Sequence, residues 1–174
     1  MRMSVQIVTT LSLAVSLVAP AEAQLKPNSP EVIASAATDC WTASGQSTID
    51  EARLQQLGWA AGSIRSPDGK TIDNPLRIFG KQGSSVVLMI MNTPTMTACT
   101  IMSRVKKPTD IGATAQLLFS KLKAIDPAVK GGRGGKPGEI VYLSLPRIAE
   151  LVATGTKEKP GTRIVVGYSF AEKK

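Results

Sequence analysis

The pattern of apolar and polar positions is most regular between residues 84 and 105, where it predicts a β-hairpin. Residues 86–90 are apolar without alternation, which is typical of a strand covered on both faces. Asn92 and Pro94 then supply turn chemistry. Residues 97–105 follow as a second β-rich run whose side chains alternate between two faces. We therefore expect this hairpin to lie near the centre of a sheet.

Two helices are predicted ahead of the hairpin. The first begins at Glu31 with Ser29 as its cap. The second is short: Thr48 and Glu51 match a capping box, and Gly58 ends the helix. The apolar stripe of the first helix repeats at helical spacing and consists of Val32, Ile33, Ala36, Ala37, Cys40 and Trp41.

The clearest helix is predicted over residues 109–125, where Ile111, Leu118 and Leu122 recur at helical spacing. No internal repeat is visible in the sequence. We predict a single small α+β domain in which the N-terminal helices and this long helix pack on a mainly antiparallel sheet. Strands are predicted at 59–64, 76–81, 139–145 and 163–170; residues 130–138 are predicted as a flexible basic loop, and residues 147–154 fit either a helical turn or an edge strand.

The N-terminus has the pattern of a secretory signal peptide over residues 1–23. Arg2 supplies the positive charge, residues 7–18 are apolar, and a small-residue cleavage site follows. The alternative, a membrane anchor, needs about 20 apolar residues and the run is shorter. We expect an exported protein, periplasmic or secreted, with no transmembrane segment in its mature chain. Residues 24–30 are predicted as a flexible mature N-terminus and 31–174 as the domain.

The chain has two cysteines, Cys40 and Cys99. Export favours a disulfide between them, because oxidising compartments preserve such bonds. The bond would connect the first helix to the second arm of the hairpin. The alternative is a pair of free buried thiols.

The net charge of +8 is unevenly distributed. Residues 24–101 are balanced, so the whole excess lies in residues 102–174. This asymmetry either marks an anionic partner or serves solubility. The backbone amides of the glycine-rich run could also form an anion-binding nest, although a solvated loop is the competing interpretation. The candidate anion-binding residues are Arg104, Lys106, Lys107, Lys130, Arg133 and Lys136.

The chain contains no histidine, which excludes Ser-His-Asp triads, Cys-His pairs and histidine-ligated metals. Paired cysteines would remove thiol nucleophiles and thiolate ligands as well. Ser103 and Lys106 fit the S-x-x-K motif of penicillin-recognising enzymes, but they lie at a strand end and the companion motifs are missing. We therefore predict no catalytic residue, no metal ligand and no cofactor.

These observations favour an exported, non-enzymatic binding or interaction domain whose ligand the sequence does not identify. One alternative is an unfamiliar hydrolase that depends on carboxylates. Another is an envelope protein that binds anionic polymers through its basic C-terminal half. The expected partners are an anionic envelope surface or another exported protein. Specific nucleic-acid binding is not expected, because the aromatic residues alternate within strands instead of interleaving with the basic ones.

Overall fold

The structure is a computed structural model that describes residues 26–45, 48–63, 76–92 and 97–168. The predicted signal peptide and the C-terminal tail lie outside these ranges. Within them the helices are α1 (Pro30–Ala43), α2 (Glu51–Gln56) and α3 (Thr109–Ile125). The strands are β1 (Pro27–Asn28), β2 (Trp59–Gly62), β3 (Leu76–Lys81), β4 (Val87–Asn92), β5 (Thr97–Val105), β6 (Lys130–Arg133), β7 (Glu139–Ser144), β8 (Arg147–Gly155) and β9 (Pro160–Tyr168).

The strands form one sheet in the order β2-β3-β4-β5-β9-β8-β7-β6. All neighbours along this path are antiparallel, and β1 adds a short parallel pairing to β5. The predicted hairpin is present as β4 and β5, with Ile90 opposite Cys99. The α+β class, the mainly antiparallel sheet and the central position of β5 are thereby confirmed.

The order of elements repeats once. A long helix ahead of a four-stranded meander occurs as α1 with β2–β5, with the short α2 between them, and again as α3 with β6–β9. The last strands of the two units, β5 and β9, pair with each other at the centre of the sheet, where Ile101 lies opposite Ile164. We call these units the N-terminal half and the C-terminal half. The repeat is one of topology and has no counterpart in the amino-acid sequence.

α1 packs on one face of the sheet at its centre. α1 contacts α3, and it also contacts β5 and β9. Alternate strand residues that point toward the helices are buried, whereas those on the opposite face, such as Met89 and Val165, are half-buried. The large strand side chains with no exposure to solvent include Phe79, Leu88, Ile90, Ile101, Leu151 and Ile164.

Each long helix is fastened to the sheet in its own way. A Cys40–Cys99 disulfide joins α1 to β5, as predicted. In the C-terminal half, the Tyr142 hydroxyl donates a hydrogen bond of 2.7 Å to the carbonyl oxygen of Ala115 in α3. The Tyr142 ring also stacks on Phe119, with 6.0 Å between the ring centroids.

The structure differs from the expectations in two segments that pair with neighbouring strands. Pro27–Asn28 forms β1 where a flexible N-terminus is predicted, because the Asn28 amide donates to Ser103 Oγ at 2.9 Å. Lys130–Arg133 forms the edge strand β6 where a loop is predicted, because its backbone pairs with β7. The ambiguous residues 147–154 are a strand, β8.

Candidate functional site

A cleft of about 210 Å³ opens between α1 and the turn that joins β3 to β4. One side of α1 forms the first wall through residues spaced three and four apart, which share a helix face. The turn forms the second wall, and Trp59 of β2 lies between the two. The lining residues are Val32, Ser35, Ala36, Asp39, Trp59, Lys81, Gln82, Gly83 and Ser84.

A small polar cluster lies along this cleft. Asp39 Oδ2 accepts a hydrogen bond of 2.9 Å from the Trp59 indole N–H and another of 3.0 Å from Lys81 Nζ. The Lys81 ammonium also lies 5.5 Å from the centroid of the Trp59 ring, a cation–π geometry. The three side chains hold one another, so the charged groups are in place before any ligand arrives.

Local sequence explains how these groups come together. The β2–β3 register places Trp59 directly opposite Lys81. Gly58, with φ of 88°, ends the turn after α2 in a conformation that favours glycine. Asp39 falls on α1 seven residues after Val32, which continues the same helix side.

Sequence reasoning did not find this cleft. Val32 is predicted on the buried stripe of α1, yet its side chain is 37% exposed because the cleft opens beside it. A usable signal was Asp39, a carboxylate that follows the apolar stripe at helical spacing. The second wall could not be inferred, since it depends on where the β3–β4 turn lies relative to α1.

The structure divides the predicted anion-binding residues into two groups. Arg104 lies on β5, and its Nε is buried without a hydrogen-bond partner among the described residues. Lys106 and Lys107 are exposed in the connection from β5 to α3. Lys130 and Arg133 are exposed on β6. Four strand spacings separate β5 from β6, about 19 Å in all, so the six residues do not form one cluster.

The predicted anion nest in the glycine-rich run is occupied by the protein's own carboxylate. Lys136, exposed in the β6–β7 turn, donates its backbone N–H to Glu139 Oε2 at 2.9 Å. Gly134 donates its N–H to the Glu139 carbonyl, also at 2.9 Å. A Cβ atom on Gly134 would come within 2.2 Å of Glu139 Oε2. The turn therefore already binds an anion, which β7 supplies.

Glu139 also forms a hydrogen-bonded pair with Glu150 of β8. The Lys136 amide, and then the hydrogen bond with Glu150, hold the pKa of Glu139 below its ordinary value. Burial, and then the hydrogen bond with Glu139 and its charge, raise the pKa of Glu150. Sequence reasoning missed this pair, because it depends on the register that places Val141 opposite Glu150.

This carboxyl pair does not have the geometry of a glycosidase. The two carboxyl groups of such enzymes are separated by about 5 Å or more, which leaves room for the sugar or for a water molecule. Glu139 and Glu150 lie on neighbouring strands, and the Glu139 carboxylate is engaged by the backbone of the β6–β7 turn. The pair therefore serves the structure of this turn.

No protein-family model, curated protein or solved structure matches this chain. In the described ranges, no three Cys, Asp or Glu side chains come together in a group able to hold a metal ion. Nor does any helix in those ranges combine the length and the apolar character needed to cross a membrane. The candidate site therefore depends on the geometry of the cleft alone.

Proposed function

We propose that this chain is an exported, non-enzymatic binding domain that holds a small ligand in the cleft between α1 and the β3–β4 turn. The observation that carries the proposal is the cleft itself: it combines apolar walls with one preorganised polar cluster. Ligand sites of proteins typically combine apolar walls with a few placed polar groups in this way. The cleft volume of about 210 Å³ is below the range of about 300–1,000 Å³ for drug-sized ligands, so the ligand is smaller than that class.

The chemistry of the lining defines the ligand class. Val32 and Ala36 offer apolar contact from α1, so the body of the ligand is apolar. Asp39 and Lys81 already pair with each other, and a charged ligand would compete with that pair and leave one of its members unpaired. An uncharged polar head group can instead exchange hydrogen bonds with both members. The ligand is therefore a neutral, mostly apolar small molecule with one polar end.

The proposal that the protein is exported is supported by the disulfide between its two cysteines. Cys40 and Cys99 form a disulfide in the core, and structural disulfides of this kind belong to oxidising compartments. The predicted signal peptide, residues 1–23, points the same way. A periplasmic or secreted location gives the domain access to small molecules of the envelope.

Blocking the cleft tests this function. Ser35→Trp places a large ring in the cleft, whereas Thr42→Trp places the same ring on an exposed position of the same helix. Each protein is incubated with a bacterial envelope extract, and bound small molecules are identified by native mass spectrometry. We expect the wild type and Thr42→Trp to carry the same bound molecule and Ser35→Trp to lose it. Equal binding by all three proteins, or binding by none, would overturn the proposal.

A further inference from the structure

Three exposed aliphatic side chains lie at the same end of the C-terminal half. Leu145 is 77% exposed, Ile125 is 48% exposed and Leu143 is 39% exposed. Leu143 and Leu145 flank Ser144 at the β7–β8 turn, and Ile125 ends α3. The Ser144 hydroxyl donates a hydrogen bond to the carboxylate of Asp126, the residue after Ile125, and this bond brings the two segments together. We call Ile125, Leu143 and Leu145 the apolar tip.

Lysines border the apolar tip. Lys130 lies opposite Leu143 in the β6–β7 register, and the two line one surface depression together with Leu145. Lys123 lies in the last turn of α3, where its Nζ donates to the Pro127 carbonyl at 2.7 Å.

The carboxylate at this end is already engaged within the protein. Asp126 accepts from Ser144 and also from the Ala128 N–H, the latter at 2.9 Å. Its negative charge is therefore engaged by groups of the protein itself, whereas the Lys123 and Lys130 side chains are exposed.

We propose that the apolar tip and its lysines attach this protein to an anionic phospholipid surface. Exposed apolar patches with a polar rim mark interaction sites. Aliphatic side chains can enter the boundary between head groups and acyl chains, while lysines contact the lipid phosphates. A polyanionic polysaccharide would satisfy the lysines but would leave the three aliphatic side chains in water. The combination therefore fits a lipid surface.

The position of the cleft is compatible with this attachment. The apolar tip lies at the end of the sheet where β7 finishes and β8 begins. The cleft lies at the opposite end, where β3 finishes and β4 begins, as the register through β5 and β9 shows. A protein attached through its tip therefore keeps the cleft open to the surroundings. The inference goes beyond ligand binding and does not depend on it.

Vesicle sedimentation tests the attachment. The mature protein is mixed with vesicles of phosphatidylglycerol or of phosphatidylcholine at low salt. We expect the wild type to bind phosphatidylglycerol vesicles only. The single variants Leu145→Ser and Lys130→Gln should each bind these vesicles several-fold more weakly. The matched control is Met102→Ser, which removes an exposed apolar side chain from the helix-free face of β5. This variant should bind like the wild type.

Each other outcome overturns the inference. Equal binding to both kinds of vesicle, or no binding at low salt, removes the anionic lipid as partner. Full binding by Leu145→Ser means that charge alone is responsible and that the tip plays no part. An equal loss in Met102→Ser means that any exposed apolar residue matters. Because the Leu145 side chain is so exposed, we expect Leu145→Ser to remain folded, which thermal unfolding checks. Ser35→Trp, which changes only the cleft, should bind vesicles like the wild type whether or not the cleft holds a ligand.

Discussion

Each half of this protein combines one long helix with a four-stranded meander, but the two halves hold that helix by different interactions. In the N-terminal half a covalent bond connects α1 to β5 through Cys40 and Cys99. In the C-terminal half a tyrosine fastens α3, through a hydrogen bond to Ala115 and a ring contact with Phe119. Nearly all of the excess positive charge also follows β5, in residues 106–174.

The difference shows that similar topology can be stabilised by different interactions. A helix on a four-stranded meander needs some contact that fixes the helix to its own sheet, and the sequence supplies a different one in each half. The ligand cleft belongs to the neutral, disulfide-linked half. The apolar tip belongs to the basic half, so the two proposed activities divide along the same line.

The largest effect is expected from removing the disulfide. Cys40 and Cys99 are 59 positions apart, and closing a loop of that length stabilises the folded state by roughly 4 kcal/mol in the chain-entropy model. We expect the double variant Cys40→Ser/Cys99→Ser to lose about that much free energy of unfolding. Urea denaturation of the variant, beside the reduced wild type, measures the loss. An unchanged unfolding midpoint in both would contradict the role given to this bond.

A smaller loss is expected from Tyr142→Phe. The variant keeps the ring contact with Phe119 but loses the hydrogen bond to the Ala115 carbonyl, which still accepts its intrahelical N–H, so the expected loss is about 0.5–1.5 kcal/mol. Phe119→Leu removes the ring contact and keeps the hydrogen bond. If this variant loses less free energy of unfolding than Tyr142→Phe, the hydrogen bond is the main interaction that holds α3. Urea denaturation serves again, and equal stability of Tyr142→Phe and wild type would show that α3 is held by other contacts.

The same tyrosine gives a pH dependence at alkaline pH. Burial raises the pKa of Tyr142 to about 12, from its ordinary value of 10.0. The folded state therefore binds this proton more tightly than the unfolded chain. Its contribution is complete below pH 10 and is lost as the pH rises toward 12. The stability difference between wild type and Tyr142→Phe should shrink over that interval, and a constant difference would contradict it.

The smallest effect is expected from Glu150→Gln, and its sign is opposite. Because the pKa of Glu150 is raised in the folded state, ionisation at neutral pH destabilises the fold. Glutamine stays neutral and can still donate a hydrogen bond to Glu139. We expect a higher melting temperature than wild type at pH 7 and no difference at acidic pH, where Glu150 is protonated.

A matched control separates this local effect from the change in net charge. Glu158→Gln removes one negative charge from the same half, at an exposed turn where the carboxylate is favoured and its pKa is lowered. This variant should not raise the melting temperature at pH 7. A similar gain in both variants would attribute the effect to net charge and not to the Glu139–Glu150 pair.

Sequence patterns predicted the elements whose periodicity and end signals lie within their own residues. The helix over residues 109–125 has its predicted bounds, because an apolar stripe and Asp126-Pro127 define it locally. The β4–β5 hairpin and the disulfide were predictable for similar reasons. β6 was not, since Lys130–Arg133 contains two glycines and two cations, and only pairing with β7 makes it a strand.

The candidate sites depend on distances between segments, which the sequence does not contain. Asp39 and Lys81 are far apart in the chain, and only the packing of α1 on the sheet brings them within 3.0 Å. Glu139 and Glu150 meet through a register that alternation alone does not determine. The topological repeat was also invisible, because the two halves share the order of their elements and not their residues.

The seam between β5 and β9 has a consequence for the order of folding. The hairpins β4–β5, β7–β8 and β8–β9 close over short connections, whereas Cys99 and Val166 meet across the seam from distant parts of the chain. Closing a long loop costs more entropy than closing a short one and slows the step that requires it. We therefore expect the two meanders to form separately and to meet at the seam late in folding.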